Sequence, residues 1–413
     1  MPEPKVRFKR DDGSDYPAWK EYSISDLFTK IGNKNKDGQN TNVITNSAEF
    51  GLIPQRDYFD KDIAVEGNTG NYTIIQTGDF VYNPRKSSYA PMGPFNCYRL
   101  EEDGIVSPLY SCLRPKGVLN PEYLLWYFQT DKWYGYVNDH GAQNGARHDR
   151  VGMTDKILMG IPVTAPCEEE QQKIADFLSS VDEVITASEE EVANLETQKK
   201  AVMKKIFSQE VRFKRADGSD FPEWEARDFK EEADYLSGLT YSPDDVVLDA
   251  DDGILVLRSS NIQGGVIDYQ DNVFVKCKIS DNLFVQENDI LMCVRNGSKK
   301  LVGKTALIKK PDLGHTWGAF MMIIRSHTDN RFIYHYLNSD NFYKQMFPDV
   351  NTATIAQITK GMLNDCVIEM PCLEEQRLIA NFLSDFDEAI VAAKKELELW
   401  KELKKGLLQQ MFV

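Results

Sequence analysis

The chain has 413 residues, a net charge of −16 and 42% hydrophobic residues. That length exceeds one ordinary domain and fits two or three, and the composition excludes a disordered chain. No run of about 18 apolar residues exists, which excludes a helical membrane span, and the excess of acid argues at first against a nucleic-acid partner.

The start, Met1-Pro2-Glu3-Pro4-Lys5, lacks the apolar core of a signal peptide. The seven cysteines (97, 112, 167, 277, 293, 366, 372) form no CxxC pair, and the five histidines form no metal-like cluster with them. These features predict a reduced, cytoplasmic protein without structural metal or cofactor.

The first predicted element is Val6-Arg-Phe-Lys-Arg-Asp-Asp-Gly-Ser-Asp-Tyr-Pro-Ala-Trp19. It recurs as Val211-Arg-Phe-Lys-Arg-Ala-Asp-Gly-Ser-Asp-Phe-Pro-Glu-Trp224, with eleven of fourteen positions identical at an offset of 205. A second block repeats at the same offset: Pro166–Ile185 matches Pro371–Ile390 at thirteen of twenty positions. The middles, roughly 20–165 and 225–370, do not visibly match. The chain therefore reads as two tandem units with like frames and unlike middles. Residues 1–165 and 211–370 are predicted as globular domains, and 166–210 and 371–413 as helices.

Along the first middle, Arg85-Lys86 is a small basic cluster. Tyr82-Asn-Pro-Arg85 is only partly similar to the Asn-Pro-Pro-aromatic motif of amino-methyltransferases, because Arg85 stands where the second Pro belongs. It reads as a strand ending in a turn. The aromatic runs Tyr123–Phe128 and Phe332–Leu337 read as helix core. Gly141–Arg150 is polar, Gly-rich and basic, and its Gln143, Asn144, Arg147 and Arg150 are side-chain types that read base edges. In the second middle, Gly297-Ser-Lys-Lys-Leu-Val-Gly303-Lys304-Thr305 has one residue too many for a P-loop and precedes a strand, not a helix. It is predicted as a strand–loop–strand with a basic tip. Arg295, Asn296, Ser298, Lys299, Lys300 and Lys304 are its candidate DNA contacts. Asn351–Lys360 corresponds to the Gly141–Arg150 loop and adds Thr354 and Gln357.

From Ile174 the apolar positions step by four and three through Leu178, Val181, Ile185, Val192, Leu195, Val202 and Ile206. The last block repeats this as Ile379, Leu383, Phe386, Ile390, Ala393, Leu397, Trp400, Leu407 and Met411. This is a heptad seam, in which Ser188, Lys199 and Lys404 fill polar sites. A 40-residue helix is about 60 Å long. The segment that starts at Val211 follows the end of the first helix and leads into the start of the second, so one domain touches both and the pair is predicted antiparallel. Residues 166–210 hold eleven Asp/Glu against five Lys, and 371–413 hold eight against six Lys/Arg. The helices thus carry half of the −16, and the acidity is a weak veto on DNA binding.

At this point the residues resemble a known family. Pro166…Glu169-Glu170-Gln171…Ile174-Ala175…Phe177-Leu178, repeated as Pro371…Glu374-Glu375-Gln376…Ile379-Ala380…Phe382-Leu383, is similar to the specificity subunit of type I restriction–modification systems. Val294-Arg-Asn-Gly-Ser298…Val302-Gly-Lys-Thr-Ala306 also looks like that family's recognition domains. The resemblance implies an α+β protein: two mixed α/β target recognition domains joined by two long helices in an antiparallel coiled coil, with internal pseudo-twofold symmetry. It implies a chain without catalysis of its own. Each domain would read half of an asymmetric site in double-stranded DNA, and the helices would act as a ruler. The implied partners are two methyltransferase subunits that bind S-adenosylmethionine, and motor–nuclease subunits for restriction. Two other classes remain open at this stage. One is an interaction scaffold with no DNA role. The other is an orphan adenine methyltransferase, which would need a cofactor loop that the sequence lacks.

Overall fold

The computed structural model describes residues 3–58, 69–141, 149–348 and 356–413. The chain divides into two compact units. The first holds Met1–Glu189 and Lys395–Val413; the second holds Glu190–Lys394. Both are mixed α/β folds completed by part of each long helix. Those helices span Glu168–Phe207 and Leu373–Met411.

The frame of each unit is assembled around one buried carboxylate. In the first unit Glu170 is fully buried, and Arg7 reaches it with Nε at 2.9 Å and a terminal nitrogen at 3.0 Å. The same guanidinium donates to the carbonyls of Tyr16 and Pro17, so the strap folds around it. In the second unit Arg212 reaches Glu375 at 3.3 and 2.9 Å and donates to the carbonyls of Phe221 and Pro222. The hydrogen bond to the carboxylate raises each arginine above its ordinary pKa. A buried carboxylate is costly unless it is paired and hydrogen-bonded, so each helix start can close only with its strap in place. The glutamine that follows is also committed: Gln171 Nε2 donates to the Pro166 carbonyl and Gln376 Nε2 to that of Pro371, each at 2.8 Å. The Glu-Glu-Gln repeat is therefore an internal lock, and Arg7 in the basic Lys5–Arg10 cluster is spent inside the protein.

Strand Lys20–Ser23 pairs antiparallel with Pro162–Ala165, and Glu225–Asp228 pairs with Val367–Met370 in the same way. Beyond these frames, the unlike middles share the strand order of one sheet, while their smaller sheets differ. The first unit has a four-stranded antiparallel sheet in the spatial order Phe28–Lys30, Ser111–Pro115, Phe80–Tyr82, Phe95–Cys97. The second repeats the order with Ala233–Ser237, Met321–Ser326, Ile290–Cys293, Thr305–Leu307. The duplication thus runs through the middles as well. It is invisible there because a strand buried on both faces accepts many apolar side chains.

A shared turn enters the central strand of each sheet. Gln76…Asp79 and Gln286…Asp289 close it through the aspartate carboxylate, which accepts the glutamine N–H at 2.7 and 2.8 Å. Gly78 (φ 89°) and Asn288 (φ 68°) take the left-handed position, which Asn tolerates better than other side chains. Each aspartate is almost fully buried and is gripped bidentately by an arginine of the neighbouring strand: Arg114 at 2.8 Å, Arg325 at 2.7 Å.

The aromatic helices Pro121–Phe128 and Asn330–Leu337 are core, as their composition predicts. Phe128 stacks on Phe95 with centroids 3.9 Å apart. The end of a long helix is plugged into each: Phe412 lies 5.4 Å from Tyr123, and Phe207 lies 5.8 Å from both Phe332 and Tyr336.

Within each unit the two helix segments run in opposite directions. In the first, Asp182 pairs with Lys404 and Glu189 with Lys401. In the second, Lys199 pairs with Asp387 and Glu196 with Lys394. Seam residues Ile174, Leu178, Val181, Ile185, Ile379, Leu383, Ile390 and Leu397 are buried. Leu195, Phe386 and Trp400 are half-buried. The polar seam sites are filled by a lysine–aspartate pair in each unit, and Lys404 also lies 4.9 Å from the Trp126 ring. Such pairs add little stability but set which residues face each other.

The lock differs in one atom between the units. Trp224 Nε1 donates to Glu375 at 3.1 Å, whereas Trp19 Nε1 has no hydrogen-bond partner among the described residues. Arg7→Ala should therefore leave Glu170 without any side-chain partner and destabilise the first unit by about 3 kcal/mol. Arg212→Ala should cost the second unit less, because Trp224 still serves Glu375. Urea unfolding with a probe in each unit checks this; equal losses would contradict it.

Candidate nucleic-acid interface

The chain that leaves the central strand of each sheet carries most of the described candidate residues. In the first unit it is Asn83-Pro84-Arg85-Lys86. Asn83 is buried and fixes the turn three ways. Its N–H donates to the Pro94 carbonyl at 2.9 Å, its Nδ2 to the Asn46 carbonyl at 3.1 Å, and its Oδ1 accepts the Arg85 N–H at 3.0 Å. Gly93 (φ 83°) allows the close approach, since a Cβ there would lie 2.1 Å from the Asn83 carbonyl oxygen. Arg85 then forms a β-bridge with Arg150, and the Lys86 N–H donates to the Asp149 carbonyl at 2.9 Å.

The second unit builds the same junction from other residues. Val294-Arg295-Asn296 leaves strand Ile290–Cys293, and Arg295–Asn296 pairs antiparallel with Ala356–Gln357. Val151 donates to the Pro84 carbonyl and Ile358 to that of Val294, both at 2.8 Å. The returning segment ends in each unit at a threonine cap, Thr154 and Thr359, whose hydroxyl accepts the N–H of Ile157 and Met362. Arg85 and Arg295 thus occupy equivalent places, as do Arg150 and Gln357.

The side chains at these places differ. Arg85 lies 3.8 Å from Asp149. Arg295 stacks 5.3 Å from the centroid of Phe320. Asn296 is committed within the fold: Nδ2 donates to Ser259 Oγ of a separate segment at 2.9 Å and Oδ1 accepts the Ser298 N–H at 2.9 Å. Lys299 and Lys300 sit on an exposed turn, and Lys304 Nζ donates to the Ile262 carbonyl at 3.3 Å. Gln143, Asn144, Arg147 and Thr354 lie outside the described residues. The structure therefore joins Arg85, Lys86 and Arg150 in one junction and Arg295, Asn296 and Gln357 in the other. Sequence reasoning missed Phe320 and Asp149 as their neighbours. It also missed the Gln-x-x-Asp turns that aim both junctions, although that spacing recurs before a strand in each half.

Among the described residues, no group of three or more His, Cys, Asp or Glu side chains converges as a metal site. No described helix is long and apolar enough to cross a membrane.

The model for the type I restriction modification DNA specificity domain matches residues 17–197 and 240–399. The chain is 25% identical over 320 residues to the type I restriction enzyme MjaVIII specificity subunit of Methanocaldococcus jannaschii, across 75% of this chain and 73% of that one. It is 28% identical over 179 residues to the type I restriction enzyme StySPI specificity subunit of Salmonella potsdam, across 42% and 38%. Among solved structures, it resembles the S subunit of a type I restriction–modification system from M. genitalium, with TM-score 0.57 and 12% identity across 100% and 99% of the two chains. A chain from a study of assembly and conformational transition in the type I R-M system gives TM-score 0.58 and 16% identity across 96% and 98%. At these identities the structural likeness speaks for the fold alone.

Asn83→Ala removes the amide that pins the first junction. It should cost the first unit about 1–2 kcal/mol, the usual loss for an unpaired buried polar partner. It should also speed hydrogen exchange at the Arg85 amide, whose acceptor is lost. Exchange measured by mass spectrometry checks this, and unchanged protection there would contradict it.

Proposed function

Because the chain belongs to the type I restriction–modification DNA specificity family, we propose that it is the non-catalytic specificity subunit of such a complex, acting in the cytoplasm. Each unit reads one half of an asymmetric, bipartite site in double-stranded DNA. The paired helices set the gap between the halves and dock two methyltransferase subunits; a motor–nuclease completes the complex where restriction occurs. The observation that carries this reading is the pair of equivalent junctions. Their backbones are alike, yet one presents Arg85, Lys86 and Arg150 and the other Arg295, Asn296 and Gln357. Alike frames with unlike side chains suit two readers of unlike sequences. The loop residues Gln143, Asn144, Arg147 and Thr354, and the basic tip of Ser298, Lys299, Lys300 and Lys304, belong to the same two readers.

The acidity bears on how the complex holds DNA. A chain at −16 gains little from the phosphate backbone by itself. Tight binding then depends on the methyltransferase subunits. The assembled complex should lose affinity steeply with salt, whereas the chain alone should bind duplex weakly and transfer no methyl group. Methylome sequencing of cells with and without the chain tests the reading directly. One split motif should vanish when the chain is removed.

The ruler has its own test. Each helix passes unbroken from one unit into the other. Seven residues inserted after Ser188 and after Ala393 preserve the heptad seam and lengthen the rod by about 10 Å. At 3.4 Å per base pair, the methylated motif should keep both half-sites while its gap grows by about three base pairs. Four inserted residues should instead rotate the seam and weaken the pair. An unchanged gap with full activity would show that the helices do not set the spacing.

A further inference from the structure

We propose that Arg295 reads a guanine for the second unit, with Phe320 as the platform that aims it. The inference rests on the specificity-subunit reading above and assigns one of its readers.

Three observations carry it. First, Phe320 is 60% exposed, and its face is covered by a guanidinium instead of core: Arg295 lies 5.3 Å from the ring centroid. Cation–π and planar stacking hold an arginine better than a lysine and fix the plane of its donors. Second, the two residues share one backbone anchor. The N–H groups of Val294 and Arg295 both donate to the Phe320 carbonyl, at 3.0 and 3.2 Å, while Arg295 also pairs with Gln357. Platform and reader therefore move as one body. Third, Arg295 keeps its donors. Most described arginines have a carboxylate within 4.0 Å, including Arg85 at the equivalent place. No carboxylate among the described residues pairs with Arg295.

A planar, charged fork held ready at a surface matches the two acceptors that guanine shows in the major groove, O6 and N7. Holding it beforehand lowers the entropy lost on binding. A phosphate would also accept the fork, but a phosphate contact carries no base preference. Among the described residues, the first unit has no such device. By strand register, Leu109 stands where Phe320 does, since Phe80 faces Leu113 as Ile290 faces Ile324. Arg85 has Asp149 beside it instead. The guanine contact should thus belong to one half-site only.

The test uses the full-length chain assembled with its methyltransferase subunits. R295A, R295K and F320L are compared with wild type by methylome sequencing, and by binding to duplexes carrying 7-deazaguanine at each guanine of the motif. R295A should relax one G·C position in one half-site by about tenfold or more. R295K keeps the charge but not the fork, so it should relax the same position while retaining the salt dependence. F320L should weaken discrimination there, and the other half-site should stay intact. Removing N7 at that guanine should weaken wild type but not R295A. Uniform weakening of all sequences by R295A, with a shallower salt slope, would overturn the proposal in favour of a phosphate contact. Discrimination unchanged in R295A would overturn it outright. If wild type itself yields no split motif, the specificity reading falls, and that outcome is distinct from either result for Arg295.

Discussion

Two carboxylates taken fully out of water, Glu170 and Glu375, make everything around them depend on an arginine 163 residues earlier in the chain. An unpaired buried carboxylate costs several kcal/mol, so the first turn of each long helix can form only against its strap. The strap is committed at its other end too. Val6 donates to the Gln410 carbonyl at 3.1 Å, and Val211 donates to that of Lys205 at 3.2 Å. Each strap therefore holds the start of one helix and the end of the other within a single unit. Opposite helix directions follow from that clamp, and the lysine–aspartate pairs of the seam refine the register.

Above the clamp, the same four-stranded order serves two different surfaces. The buried aspartate that closes the turn before the central strand, and the arginine that grips it, are kept in both units. Loss of either arginine alone would leave a buried carboxylate unpaired. The positions that follow the strand carry no such constraint. Three residues beyond Tyr82 and two beyond Cys293 the chain reaches the surface, and there Arg85 and Arg295 acquire different neighbours. Rigid interiors with free exteriors are what a reader of variable sequence needs.

What was legible in the sequence follows the same physics. The frames were legible because the lock demands particular side chains: Arg, Glu, Gln and Trp recur at one spacing of 205. The helices were legible from their heptads and from the absence of breakers. The common fold of the middles was not legible, because apolar strand residues substitute for one another and loop lengths differ. Within the junctions, sequence marked Arg295 and Arg85 as polar residues after a strand. It could not show that one rests on Phe320, 25 residues later, and the other beside Asp149, 64 residues later. Those pairings exist only once the sheet is folded. In the basic Lys5–Arg10 stretch, the Arg7 guanidinium serves Glu170 and the strap's own carbonyls, a pairing that the sequence does not show either.

The central claim is that one unit answers to one half of the target. The most direct measurement is the methylated motif of a chain whose residues 20–165 come from another family member, with both straps and both long helices left as they are. The account predicts that one half-site changes to that of the donor, while the other half-site and the gap are retained. A change in both half-sites, or in neither, would contradict it.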